Sequence, residues 1–466
     1  MGTLPPVEEA LARLVTDLTF DTLPADALAG ARRLMQDQLA LQIGSASLPW
    51  SQAVLALTRT AHAPGKSHVA ATGEKMSAAD AAFVNATYGH GFEYDDAHRA
   101  SSSHPGSTVV SAALAIGEEL DATMAEVITG IVAGYEVYTR IGNLAAPELL
   151  ERGFHPHGLL SNFGAAAVAA KMRGFDAETT AHALAIALSH ASGTTEYTSS
   201  GGSIKRVHSG IGTRNGIRAA DMAAAGITGP TTFLTGGKGF YRTYVGRPVT
   251  DDAAATFGPD RTFEITRIWI KPYCCCGINH AYIDGARHLT ARATDIDIDS
   301  ILLGIQTGGD VVIGNKNANA YAPKIIEHLQ YSLPFQFALS ALGKGNGFAT
   351  HHAYLAGQLD IGPGSDIAAL AQKVKIEVTP ELDTAYPGRW VGDITVTYTD
   401  GTTEHLFIDN PTGTAENPMS QHDLDAKFRD VTSTSLGTER GNTLLHTIQN
   451  GDPDQPASDF AALLKV

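Results

Sequence analysis

Over the first 260 residues, small and apolar positions recur at spacings of three and four, broken by glycine, proline and polar clusters. That period predicts helices. It is carried by ALARLVTDL (10–18), DALAGARRLMQDQLALQIG (26–44), AADAAFVNATYGHGF (78–92), STVVSAALAIGEEL (107–120), MAEVITGIVAGYEVYTRIG (124–142) and NFGAAAVAAKMRG (162–174). Alanine and glycine on so many faces imply helices packed closely together. A run this long with no strand signal predicts an all-helical domain of many helices.

After Phe263 the pattern changes to alternating or β-branched stretches: EITRIWI (264–270), SILLGIQT (300–307), KVKIEVTP (373–380) and DITVTYTDGTTEHLFI (393–408). The last contains Asp400-Gly401, a hairpin signal. Helical patterns at about 278–293 and 333–345 lie between them, and the chain returns to helix beyond Pro418. The expected fold is mostly α. A large helical domain is built from 1–269 and 406–466, and a smaller α+β lid domain, 270–405, is inserted into it.

Composition narrows the function. The chain has 466 residues, 43% apolar and 18% charged, with 48 glycines, as a globular protein with a sizeable core has. Its net charge of −16 removes the electrostatic footprint of a nucleic-acid binder. Any basic residues that serve an anionic ligand must therefore be concentrated in one place. The three cysteines are consecutive, Cys274, Cys275 and Cys276, which gives neither a disulfide framework nor two spaced zinc-ligand pairs. Neighbouring side chains point in different directions, so core packing is their simplest use, with Cys276 the candidate thiolate. The opening MGTLPPVEE has no secretory pattern, and no apolar run reaches the roughly 18 to 20 residues of a membrane span. A soluble, cytoplasmic protein without membrane or nucleic-acid partners is expected.

Generic motifs do not account for the chemistry. TGGKG (235–239) lacks the spacing of a phosphate loop, and no G-x-G-x-x-G unit, G-x-S-x-G elbow or H-E-x-x-H helix is present. Four segments concentrate His, Lys and acids beside glycine and proline. HGFEYDDAHRASSSHPGS (90–107) carries Glu93, Asp95, Asp96, His98 and His104, and its HPGS reads as a helix start that would favour an anion. RGFHPHG (152–158) places His155 and His157 in a turn before a small-residue helix. GGSIKRVHSGIGTRNG (201–216) gathers Lys205, Arg206, His208 and Arg214, a set suited to a carboxylate-rich ligand. KPYCCCGINH (271–280) lies at the expected domain boundary, where binding clefts form. Each also has a plainer reading, as a capping turn, a structural histidine or a basic surface loop.

In order and spacing these segments resemble the MmgE/PrpD family, which includes 2-methylcitrate dehydratase, cis-aconitate decarboxylase and iminodisuccinate epimerase. GYEVYTRIG (134–142), GITGP (226–230), IKPYCCCGINHAYIDG (270–285) and ENPMSQHDLDAKF (416–428) extend the likeness over nearly the whole chain. The resemblance implies a helical domain with an α+β lid, a homodimer and an active site between the domains. By motif it implies His104, His155, Lys205, Lys271 and His280 as catalytic residues. Glu93, Asp95, Asp96, Arg206, His208 and Cys276 then serve substrate binding. Within the family, the acidic segment and Cys275-Cys276-Gly277 look more like the fungal cis-aconitate decarboxylases. The animal branch has a histidine five residues after its lysine, where this chain has Cys276, so the animal mechanism does not transfer directly. The tryptophan- and asparagine-containing acidic segment of the bacterial methylcitrate dehydratases is also missing.

The shared family step forms or protonates a carbanion beside a carboxylate. It needs an acid or base near neutrality and cations to hold the carboxylates. The expectation is a lyase on a small di- or tricarboxylate, with no cofactor and no metal. His104 is the acid/base, and Lys205 and Lys271 hold carboxylates. An epimerase using two bases, a non-catalytic carboxylate binder and a metal hydrolase are the rival readings.

Overall fold

Small residues decide how the helices of the first half of the chain approach one another. In the computed structural model, which describes residues 3–258, 262–292, 298–386 and 388–466, the chain forms two units. Unit 1 is Met1–Ile268 with Val431–Val466, and unit 2 is Trp269–Asp430. Unit 1 opens with α1 (Pro6–Asp17), α2 (Ala25–Gly44) and α3 (Pro49–Ala61). A two-residue ribbon follows, β1 (Ser67–His68) against β2 (Lys75–Met76). Next come α4 (Ala78–Gly89), α5 (Gly106–Glu119), α6 (Met124–Asn143), α7 (Glu148–Glu151), α8 (Pro156–Met172), α9 (Ala177–Leu188), α10 (Tyr197–Ser200) and α11 (Ile204–Ala224).

Several starts follow from local chemistry. The Ser77 hydroxyl accepts the Asp80 N–H ahead of α4, Thr123 and Glu126 form a capping box on α6, and the Asp176 side chain accepts the Thr179 N–H ahead of α9. Helix α8 is buried at every position from Pro156 to Ala170. A helix apolar and small all round belongs at the centre of a core, and α5, α6, α9 and α11 pack around this one, with α4 packed on α5 and α11. A Cβ at Gly216 of α11 would collide with the backbone carbonyl of Asn162 in α8. Glycine there sets the distance between two helices that both carry histidines.

Unit 2 contains α12 (His280–Arg292), β3 (Ile298–Ile305), α13 (Thr307–Val312), α14 (Ile326–Gln330), α15 (Leu333–Ala341), α16 (Phe348–Leu355), α17 (Asp366–Ala371), β4 (Val374–Val378), β5 (Gly392–Tyr398) and β6 (Thr403–Ile408). The sheet order is β4-β3-β5-β6, with β3 and β4 parallel and the other pairs antiparallel. Leu303 lies opposite Ile376 on one side and Ile394 on the other. Alternation puts Ile301, Leu303 and Ile305 into the core with Tyr282 of α12 and Phe337 of α15, while Leu302 faces outward. Burying each such side chain contributes roughly 1.5–3 kcal/mol. Gly401, at φ +85°, turns the β5–β6 hairpin. Helix α18 (Gln421–Asn450) is two stretches joined at Gly437, and α19 (Ala457–Ala462) follows.

Three details differ from the sequence reading. The segment 264–270 is a short 3-10 turn, Glu264–Arg267, and not a strand, because the buried Glu136 carboxylate captures the Ile265 N–H at 3.0 Å. The helical half also holds the β1–β2 ribbon. Unit 2 continues to Asp430, whereas a boundary at 405 would cut through β6. Among the described residues no helix is long and apolar enough to cross a membrane.

Candidate functional site

Helix α4 ends at Gly89, and the next sixteen residues fold back to start α5. Glu93 in this segment has φ +57° and Ser102 φ +49°, left-handed conformations that turn the chain twice. The turns bring His90, Asp95, Asp96 and His104 together. Asp96 organises the group. Its Oδ1 accepts the Gly106 N–H at the α5 start (3.0 Å), its Oδ2 accepts the Tyr135 hydroxyl of α6 (2.8 Å), and its carbonyl accepts the His104 Nδ1–H (2.7 Å). The last bond fixes the His104 tautomer, so in the neutral ring the lone pair sits on Nε2. Burial, and then the charge of Asp95, push the Asp96 carboxyl up to about 8.

The α8 start supplies two more imidazoles. His155, just before Pro156, is 2.8 Å from His208 of α11, Nδ1 to Nδ1, so this pair shares one hydrogen. His157 Nδ1 is 2.6 Å from the Tyr138 hydroxyl, which also meets Ser103. His90, at the end of α4, lies among them, with ring centroids 4.4 Å from His157, 5.6 Å from His104 and 6.3 Å from His155. Burial lowers the proton affinity of His155 and His157 well below the usual histidine range, and neighbouring histidines add to it. His208 is held at about 4, by burial and then by Lys205. These three rings are neutral at pH 7.

The first turn of α11 adds the cations. Lys205 pairs with Glu93. Arg206 donates to the Gly91 carbonyl at 2.6 Å and lies over the Trp50 ring, 4.2 Å from its centroid. Unit 1 thus brings together eight of the expected site residues: Glu93, Asp95, Asp96, His104, His155, Lys205, Arg206 and His208. Within that set, Asp95, Asp96 and Arg206 are almost wholly buried against protein partners. His98, in contrast, bonds Ser101 and Glu264.

Unit 2 holds Lys271, His280 and Cys276. Lys271 is 1% exposed, and its carbonyl accepts Lys427 Nζ–H at 2.8 Å. His280 begins α12, edge-on to Trp269 and Tyr273 at 4.9 and 5.1 Å. Burial, then Lys271 and Lys427, hold its proton affinity well below the usual range. Cys274 and Cys275 are fully buried, and burial pushes the Cys275 thiol up. Cys276 is the partly exposed one and packs on the sheet core. Among the described residues no group of three His, Cys, Asp or Glu side chains is placed to hold a metal ion.

Sequence reasoning missed His90, Tyr138 and Lys427 as members of these groups and left His157 in its turn without a role. His157 was visible in HPHG. Tyr138 and Lys427 lay inside GYEVYTRIG and ENPMSQHDLDAKF, with no local signal to mark them.

Neutral imidazoles beside a lysine can take up or deliver protons next to a bound anion. Known proteins share the framework. The chain is similar to a cis-aconitate decarboxylase of Aspergillus terreus, 28% identical over 304 residues, which is 62% of this chain and 61% of that protein's length. It is also similar to the cis-aconitate decarboxylase-like protein oryM of Aspergillus oryzae, 24% identical over 98% of this chain and 97% of the relative. The human cis-aconitate decarboxylase is 25% identical over 83% of this chain and 79% of its own length. The MmgE/PrpD N-terminal domain matches residues 9–251 and the MmgE/PrpD C-terminal domain residues 273–450. Matches over both halves establish that this chain belongs to the MmgE/PrpD family.

Proposed function

We propose that this chain is a lyase that acts on a small di- or tricarboxylate, with decarboxylation of cis-aconitate as the leading reaction. The observation that carries the reading is the histidine group of unit 1: His104, with one nitrogen bonded to the Asp96 carbonyl, stands beside neutral His155 and His208 and the Lys205 ammonium. The names of the A. terreus, A. oryzae and human relatives support the choice of substrate.

In this mechanism the C–C bond to the departing carboxylate breaks, and its electron pair forms a new double bond to the central carbon. The old double bond's pair moves to the carbon beside the remaining carboxylate. His104, as the imidazolium with its Nδ1–H held by the Asp96 carbonyl, delivers its Nε2 proton to that carbon, and the neutral imidazole left behind takes up a proton from solvent. Lys205 and Lys271 each bind a carboxylate and stabilise the developing charge. His155 and His280 orient the reacting groups.

The test is a mass-spectrometric screen of the purified protein in D₂O against cis- and trans-aconitate, citrate, 2-methylcitrate and iminodisuccinate. Loss of CO₂ from cis-aconitate with one deuterium incorporated is the expected result. Loss of water from citrate or 2-methylcitrate would make it a dehydratase. Deuterium uptake without loss of mass would make it an epimerase and overturn the lyase reading.

A further inference from the structure

Behind His104 and His155 stands a pair that the mechanism does not use. His90 and Asp95 are both fully buried, and His90 Nδ1 is 2.7 Å from Asp95 Oδ2. At that distance the imidazole N–H donates to the carboxylate and the tautomer is fixed. The other carboxylate oxygen, Asp95 Oδ1, is buried without a hydrogen-bond partner among the described residues. A buried carboxylate with one oxygen unsatisfied costs free energy unless positive charge balances it. The charged and titratable groups around the pair are Asp37 from α2, Asp96 of the same loop, and His104, His155 and His157, with His208 and the Glu93–Lys205 pair beyond His155.

We propose that Asp95 and His90 form a buried carboxylate–imidazole dyad that serves as the fixed counter-charge of the histidine group. Both are then positioning residues acting through His157, His155 and His104, and neither touches substrate. The role rests on reading this site as an acid–base centre. Ring contacts give the dyad a direct route to all three histidines, the nearest being His157 at 4.4 Å. The electrostatics run the same way, since Asp95 raises the proton affinity of His155 and of His157 against the burial that lowers both. Of the two adjacent carboxyl groups, Asp96 is the one pushed toward the protonated form, and Asp95 is one cause.

The experiment uses the full chain with isotope-labelled histidine, as wild type and as Asp95→Asn, Asp95→Glu and His90→Gln. In the wild type, a strongly downfield imidazole N–H resonance, lost in His90→Gln, is the expected signature of the dyad. In Asp95→Asn the histidine protonation midpoints should fall by about half a unit or more. The alkaline limb of the kcat/KM profile, which a proton-delivering His104 sets, should move down with them. Turnover should drop about tenfold to a hundredfold with KM within about threefold, and Asp95→Glu should recover part of it. Unchanged midpoints in Asp95→Asn, or a raised KM at unchanged kcat, would overturn the proposal. If Asp95→Asn does not fold, the wild-type resonance decides, and its absence overturns the dyad. Should the wild type turn over no polycarboxylate, the lyase reading falls, while the resonance and the midpoints still judge the dyad.

Discussion

His157 in unit 1 and His280 in unit 2 are both fully buried imidazoles whose proton affinity is lowered first by burial, yet their surroundings are opposite. His157 is bonded to Tyr138, tilted against His90, and drawn toward protonation by Asp95. His280 sits between the edges of Trp269 and Tyr273, and the charges acting on it are the ammonium groups of Lys271 and Lys427. A histidine with a carboxylate in range can change its protonation state as an anion arrives or departs. One flanked by lysines stays neutral throughout and can only donate or accept a hydrogen bond. Under the proposed function the contrast favours proton handling by unit 1, and leaves His280 in unit 2 as a neutral hydrogen-bonding group beside two ammonium groups.

The largest expected effect is on His104. Under the proposed function, His104→Ala should lower kcat by about 10² to 10⁴ with little change in fold, because it removes the group proposed to deliver the proton. Retention of near wild-type turnover on the true substrate would overturn the assignment of His104 as the proton donor. A smaller effect is expected in unit 2. Under the proposed function, Lys271→Met removes one charge-assisted bond to a substrate carboxylate, about 1.5–3 kcal/mol, and should raise KM about tenfold to a hundredfold. The pH profile should stay in place, and if it moves, the two units share the proton chemistry and the division fails.

The smallest effect concerns stability and Asp96. Its folded value, about 8, lies above the ordinary carboxyl range, so the native state keeps a proton that the unfolded chain releases above about pH 4. This contribution is fully present below about pH 4 and is lost as pH rises through about 8. Asp96→Asn has no proton to lose, and its side-chain oxygen can still accept the Gly106 N–H. Its melting temperature should fall less than the wild type's between about pH 5 and pH 9. Parallel curves for the two proteins would show that Asp96 ionises normally when folded.

The helices of unit 1 and the sheet of unit 2 were legible because their periods reflect burial on one face or all round. The 264–270 stretch misled for a physical reason: its alternation is real, but Glu136 takes the Ile265 N–H that a strand partner would have needed. The histidine-bearing segments were visible as compositions, and RGFHPHG and IKRVH gave residues that meet at 2.8 Å. The His90–Asp95 bond was not visible. A five-residue separation places two side chains together only if the chain turns sharply between them, and that turn depends on Glu93, a residue with no preference for a positive φ. Lys427 was hidden differently, since its partner carbonyl at Lys271 lies 156 residues away.

The Glu93–Lys205 pair has one more consequence under the proposed function. Lys205 is already occupied by a carboxylate, so an incoming substrate meets a resident competitor. Binding becomes an exchange of one carboxylate for another, and the measured affinity reports only the difference between them. The displaced Glu93 then faces a buried setting without its cation and must take up a proton or swing toward water. The pair therefore works as a selectivity filter. A monocarboxylate, which offers Lys205 no more than Glu93 does, gains little by entering. A ligand with two or three carboxylates gains from the additional cations and can displace the incumbent.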